Sequence, residues 1–134
     1  MKTFTLEQAN RTLPLVSRIV GDIVSLYPRW MECMSELDLL NVAPQTDGEA
    51  PRREQVERRA QSLAREIDGC IHELRALGIE YKMPLDAGLV DFPGELEGRP
   101  IYLCWRLGEE AVMHWHELDA GFAGRRPIAA PALR

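Results

Sequence analysis

Long apolar runs are missing from this chain. None approaches the roughly 18 residues needed to span a bilayer, which excludes a helical membrane protein. The opening residues, MKTFTLEQANRTLPLV, carry acids and polar groups where a secretory signal has an unbroken apolar core, so the expected address is the cytoplasm. Cysteine is scarce too. Cys33, Cys70 and Cys104 are odd in number, far apart and without a CxxC pair, which leaves neither a disulfide framework nor a zinc ribbon. Reduced thiols in a cytosolic protein fit that pattern. An excess of positive charge is also absent: 16 Lys and Arg face 21 Asp and Glu, for a net charge of −5. Affinity that comes from neutralising phosphates needs the opposite balance, so nucleic acid is not an expected partner. Arg52, Arg53, Arg58, Arg59 and Arg65 do cluster, but Glu49, Glu54, Glu57 and Glu66 are threaded among them, as on a solvated helix face laced with ion pairs. No phosphate loop and no dinucleotide fingerprint occurs. A di-iron carboxylate bundle would need Glu-x-x-His on a helix, and the residue three before His72 is Gly69.

What is present is one domain by size, residues 1–134, with a change of period at Gly78. Residues 1–78 read as helices. Thr5 and Gln8 have the spacing of a capping box, with Phe4 placed to staple Ala9, and predict a short helix over Leu6–Thr12. Pro14 either kinks that helix or opens the next one. From Leu15 onward, Val16, Ile19, Val20, Ile23, Val24, Tyr27, Trp30, Met31, Met34 and Leu37 keep the three-and-four spacing of one buried stripe, bent at Pro28 and fading near Leu40. Asn41–Pro51 reads as an exposed loop. A second long helix over about Arg53–Leu77 carries Val56, Ala60, Leu63, Ile67, Ile71 and Leu74, with Gly78 as a left-handed cap and Ile79 packing back on Leu74. Two such helices make an antiparallel hairpin. Each has a face left over for the C-terminal sheet or a second copy, and the breadth added by Val20, Val24, Met31 and Met34 favours a homodimer through the helices.

Residues 79–128 have period two. Ile79–Met83, Leu89–Phe92, Pro100–Leu107 and Ala111–Glu117 are the expected strands, with Pro93–Gly98 as a loop. The fold class is therefore α+β: a long helical hairpin followed by a three- to four-stranded antiparallel meander, then a Gly/Arg loop and a loose tail over 129–134.

The motifs Asp91-Phe92-Pro93, Leu103-Cys104-Trp105, Gly108-Glu109, Trp115-His116-Glu117 and Gly121-Phe122-Ala123-Gly124-Arg125 are dense in chemistry-bearing residues. With the opening TFTLEQANRTLPLV, this series resembles a bacterial family that is a domain of unknown function. The resemblance covers most of the chain and implies a small cytosolic bacterial protein, with no named activity to carry over.

Which of these side chains share a face depends on the hairpin near Gly108. A two-residue Gly108-Glu109 turn pairs Leu107 with Glu110 and separates the thiol from the imidazoles. A three-residue loop pairs Leu107 with Ala111, which sets Cys104 across from His114 and Tyr102 across from His116. The glycine position favours the first register. The second is the chemically richer one.

Three chemical readings follow. The first is a metal site from His114 and His116 with a carboxylate (Asp91, Glu109 or Glu117) and Cys104; imidazole with carboxylate suits zinc or iron, and a thiolate tilts the choice towards zinc. The second is an anion site for a phosphate or carboxylate, built from Gly121, Gly124, Arg125 and Arg126 as a backbone nest with guanidinium groups. Its structural counterpart is a turn whose arginines pair with the protein's own acids, such as Asp91 or Glu117. The third makes Cys104 a nucleophile with His116 as base, although an apolar strand position raises a thiol's pKa and favours an inert core residue. Beside these stands a non-catalytic reading, an interaction module that holds a small-molecule or protein partner.

Overall fold

The computed structural model describes residues 2–42 and 48–128. The expected tail over 129–134 and the centre of the Asn41–Pro51 loop lie outside the described residues. Helix α1 runs over Leu6–Val42 and helix α2 over Glu49–Ala76, packed as a hairpin. The capping box forms as expected: the Gln8 amide donates to Thr5 Oγ1 at 3.1 Å, and the Thr5 amide donates to Gln8 Oε1 at 3.0 Å. The short first helix proves to be the first turns of α1, which continues through Pro14 and Pro28. Both prolines are on the exposed side of the helix, so neither ring intrudes on the buried stripe. At the other end, Gly78 adopts φ +84°, its amide donates to Arg75 O, and the Ile79 amide donates to Leu74 O. This is a Schellman motif with Ile79 folded back beside Leu74, both buried.

The sheet has five strands in chain order, all antiparallel: β1 Glu80–Tyr81, β2 Leu89–Leu96, β3 Arg99–Arg106, β4 His114–His116 and β5 Arg126–Pro127. Two expectations are corrected here. The Pro93–Gly98 loop is instead the second half of β2, followed by a two-residue turn in which Glu97 and Gly98 both have positive φ, 52° and 80°. Positive φ at both positions makes the tight turn that matches strand twist; Gly98 adopts it freely, whereas Glu97 does so against its side chain. Pro93 is tolerated because β1 ends opposite Val90 and Asp91, so no neighbouring strand needs its amide. Its carbonyl instead receives the Phe4 amide at 2.7 Å. The strand expected over Ala111–Glu117 shrinks to His114–His116, and β5 appears beside it from a stretch that has no strand pattern of its own.

One sheet face meets the helices. Val90, Phe92, Ile101, Leu103 and Trp105 are buried there with Val16, Val20, Ile23 and Leu74. Val20 and Val24, part of the breadth that pointed to a second copy, are spent on this packing. Of that group only Met31 is among the exposed large apolar residues. A smaller cluster of Cys33, Val56, Ala60 and Leu63 closes the far end of the hairpin.

Candidate metal centre

The register between β3 and β4 decides what the opposite sheet face can do. Tyr102 pairs with His116, Leu103 with Trp115 and Cys104 with His114. That is the register of the longer loop, so the two-residue turn favoured by the position of Gly108 is not formed. The reason lies in tertiary contacts of residues 107–113. Glu109 Oε1 accepts the Arg106 amide at 2.7 Å, and Glu109 O accepts the Trp105 indole N–H at 3.0 Å. Farther on, Val112 is clamped to α1: its amide donates to Asn10 Oδ1 at 2.7 Å, and Asn10 Nδ2 donates back to Val112 O at 3.4 Å. A glycine able to take a tight turn cannot outweigh a buried valine held by two hydrogen bonds.

Asp91 pairs with Cys104 in the neighbouring ladder, so Asp91, Cys104, His114, Tyr102 and His116 share one face. Asp91, Cys104 and His116 are almost fully buried, at 2%, 1% and 2% exposure. One ligand atom from each lies within 4.8 Å of the other two. His116 Nδ1 is 2.7 Å from Glu117 O. A carbonyl only accepts, so Nδ1 carries a proton and the ring is oriented by its own backbone. This leaves Nε2 facing Asp91 Oδ1 at 3.0 Å. Asp91 Oδ2, the other oxygen, is buried with no hydrogen-bond partner, and the nearest cation to it is Lys82 Nζ at 3.9 Å.

The electrostatics follow from burial. Burial pushes the Cys104 thiol up to about 11, and the neighbouring Asp91 adds to the shift against the pull of Arg125. Burial also raises the Asp91 carboxyl, against the pull of His116 and Lys82. A thiol in this state is not an activated nucleophile at neutral pH. A cation held there would reverse the situation, displacing the thiol proton and supplying the charge that a buried carboxylate lacks.

Of the other expected ligands, Glu117 and Glu109 are engaged by arginines, and His114 shares the face without joining the three-residue cluster. Glu117 turns outward to a salt bridge with Arg99 at 2.5 Å. Glu109 is held by Arg125 through two hydrogen bonds, of 3.0 and 2.7 Å. Burial alone would raise the Glu109 carboxyl, but the Arg125 guanidinium and the Arg106 amide together hold it below its usual value. His114 Nδ1 is 3.7 Å from Glu109 Oε2 and is buried without a hydrogen bond. In the Gly/Arg loop, a 3-10 turn over Phe122–Gly124, the Gly124 amide donates to Gly121 O and the Arg125 amide to Phe122 O. The Arg125 guanidinium lies 4.2 Å over the Phe122 ring, and that of Arg126 lies 5.4 Å over Trp115.

Residues 2–128 match the model of DUF2203, an uncharacterized conserved protein family. The chain belongs to that family. No curated protein and no solved structure matches it. Among the described residues of this DUF2203 member, no helix is long and apolar enough to cross a membrane.

Two residues around the centre escaped the sequence reading: Asn10 sets the loop that fixes the register, and Lys82 approaches Asp91. Tyr102, which the longer-loop register set across from His116, lies with its ring 5.6 Å from the imidazole. Asn10 is 102 residues from its partner, and local pattern carries nothing at that separation.

Proposed function

We propose that this DUF2203 member binds a transition-metal ion, zinc before iron, through His116 Nε2, Asp91 and Cys104 Sγ. The observation that supports the reading is the buried Asp91 Oδ2, which has no hydrogen-bond partner although it belongs to a cluster of three donor groups of three kinds. A buried carboxylate oxygen without a hydrogen bond is costly, and a cation is the economical explanation for keeping it. The set fits the ion in two further ways. Imidazole, carboxylate and thiolate together match borderline-soft zinc better than a hard cation. The Nδ1–H to backbone carbonyl bond is the usual outer support of a metal-binding histidine, which fixes its tautomer and aims Nε2. Three protein donors leave one position of a tetrahedral ion for water or a substrate, as catalytic sites do.

Metal content of untagged, full-length protein tests this. About one equivalent of zinc per chain is expected, falling to background in His116→Ala. Wild-type protein without stoichiometric metal after incubation with zinc, or His116→Ala retaining it, overturns the reading. Cobalt titration adds the identity of the sulfur ligand, because a thiolate-to-cobalt charge-transfer band should vanish in Cys104→Ser.

A further inference from the structure

Helix α1 carries one seam along its length, and the sheet covers only the first half of it. Leu13, Val20 and Val24 lie on the helix face that packs into the core with the sheet. The same face continues with Pro28, Met31, Ser35, Leu39 and Val42, at steps of three, four, four and three residues. Gly88 closes over Val24, so near that a Cβ added to it would meet a Val24 methyl at 3.5 Å. Asp86, in the same loop, shares a groove with Tyr27, Pro28, Met31, Ser35 and Leu39. Beyond it the seam is open: Met31, Leu39 and Val42 are 42%, 68% and 82% exposed. The outward residues of α2 at this end are charged instead, with Arg52, Glu54, Glu57 and Arg58 all exposed. A single exposed leucine is ordinary, but an uncharged line on one helix of such an arm marks a surface that something covers.

The line is symmetric about its middle residue. Met31 and Leu39 stand four residues to either side of Ser35, and Pro28 and Val42 stand seven. A second copy laid antiparallel across Ser35 therefore sets Met31 against Leu39 of the other copy, and Pro28 against Val42, with the reverse pairs completing the seam. Two small Ser35 side chains meet at the crossing. A two-fold interface between identical chains requires this self-matching, and a partner of unrelated sequence does not. The flanking charges permit it. The same two-fold brings Glu32 towards Glu36 of the other copy, and Arg52 already grips Glu36. We propose that the outer half of α1 is a self-association seam on which a second copy of this chain docks antiparallel about Ser35. It stands independently of the metal reading. The seam is roughly 21 Å long and one helix face wide. That is well short of the roughly 1,600 Å² of a standard interface, so the dimer is weak and forms at high micromolar concentration.

The experiment is sedimentation equilibrium of the full-length chain with variants along the seam. Between about 5 and about 500 µM, the wild-type mass should rise from one chain towards two, as a weak interface of this size implies. Met31→Glu and Leu39→Glu, both at exposed positions, should keep the wild-type melting midpoint and weaken association at least about tenfold. Leu15→Glu, exposed on another face of α1, should associate as wild type does. The register is read by cross-linking with diamide, against wild type as the background from Cys33, Cys70 and Cys104. Ser35→Cys should be captured as a covalent dimer. Leu39→Cys should not, because its two copies lie roughly 12 Å apart along an antiparallel pair, beyond the reach of a disulfide. Wild type that stays monomeric at the top of the range overturns the proposal, as do glutamate variants that associate like wild type. Equal cross-linking through Leu39→Cys and Ser35→Cys would mean parallel chains, and overturns it too.

Discussion

On the helix-facing side of the sheet, Val90, Phe92, Leu103 and Trp105 are no more than 2% exposed, and on the opposite side Asp91, Cys104 and His116 are buried just as deeply. Equal burial hides opposite energetics. The first group gains from leaving water, at about 1.5–3 kcal/mol for each large apolar side chain. The second group loses by it, since the Asp91 carboxyl and the His116 imidazole give up hydration for one mutual contact of 3.0 Å, and Asp91 Oδ2 has no hydrogen bond, only the Lys82 ammonium at 3.9 Å. The apolar face stabilises the fold, while the polar face draws on that stability and needs a function to account for it. Changes on the two faces should therefore separate stability from metal content.

The largest effect is expected on the apolar face. Phe92 is fully buried and meets Phe4 edge-on at 5.3 Å, joining the sheet to the segment that leads into α1. Phe92→Ala should destabilise the protein by about 3–5 kcal/mol, the usual cost of emptying so large a core site. Denaturant unfolding measures it directly. Protein that remains folded at low temperature should still bind one zinc, because no ligand has been touched. A loss below about 1 kcal/mol would show that Phe92 is not part of a close-packed core.

The polar face should respond in the opposite sense. Asp91→Asn keeps the shape, removes the charge and offers an amide N–H to His116 Nε2. Metal binding should fall to background, yet the metal-free variant should equal or exceed metal-free wild type in stability, by up to about 1 kcal/mol. The pH dependence sharpens the test. Burial raises the folded-state pKa of Asp91 above its unfolded value, so its contribution is fully present below the unfolded value and is lost as pH rises through the folded one. The stability advantage of Asp91→Asn should accordingly appear as pH rises through that window and fade in acid. Unfolding of chelator-treated protein at several pH values decides it. An Asn variant that is clearly less stable at neutral pH would mean that Asp91 is a structural partner of His116 and nothing more.

The same division explains how far the sequence could be read. The helices announced themselves through the spacing of Val16, Ile19 and Ile23, through Thr5 and Gln8, and through Gly78, all of them signals carried within a few residues. The apolar strands were legible for the same reason. The candidate site was legible as a set of residue types, and the three that the fold brings together, Asp91, Cys104 and His116, were among them. Its membership was not, because membership depends on register, and register was settled by Asn10 and Glu109 instead of by Gly108. Glu117 follows His116 directly in sequence, but alternation turns its side chain away to Arg99, and only its carbonyl serves the imidazole. β5 was invisible, since two residues pairing beside His114 and Trp115 leave no period to detect.

The smallest effect should come from an ion pair outside the sheet. Arg52 grips Glu36 across the hairpin through Nε at 2.5 Å and through a second N–H at 2.8 Å, a better set of hydrogen bonds than Asp91 receives. Yet the side chains remain 51% and 37% exposed. In water the charges lose little hydration on pairing and gain little from it, so good geometry does not become stability. The Arg52 hydrogen bond holds the Glu36 carboxyl below its ordinary value, so any contribution is present above the unfolded pKa and disappears as pH falls. Glu36→Gln should leave the neutral-pH melting midpoint within error of wild type and metal content unchanged. A clear drop in the midpoint would mean that the far end of the hairpin, where Cys33, Val56, Ala60 and Leu63 are the buried cluster among the described residues, depends on surface charge for its closure. The contrast with Asp91 would then be one of degree, set by how much apolar packing each end of the molecule has in reserve.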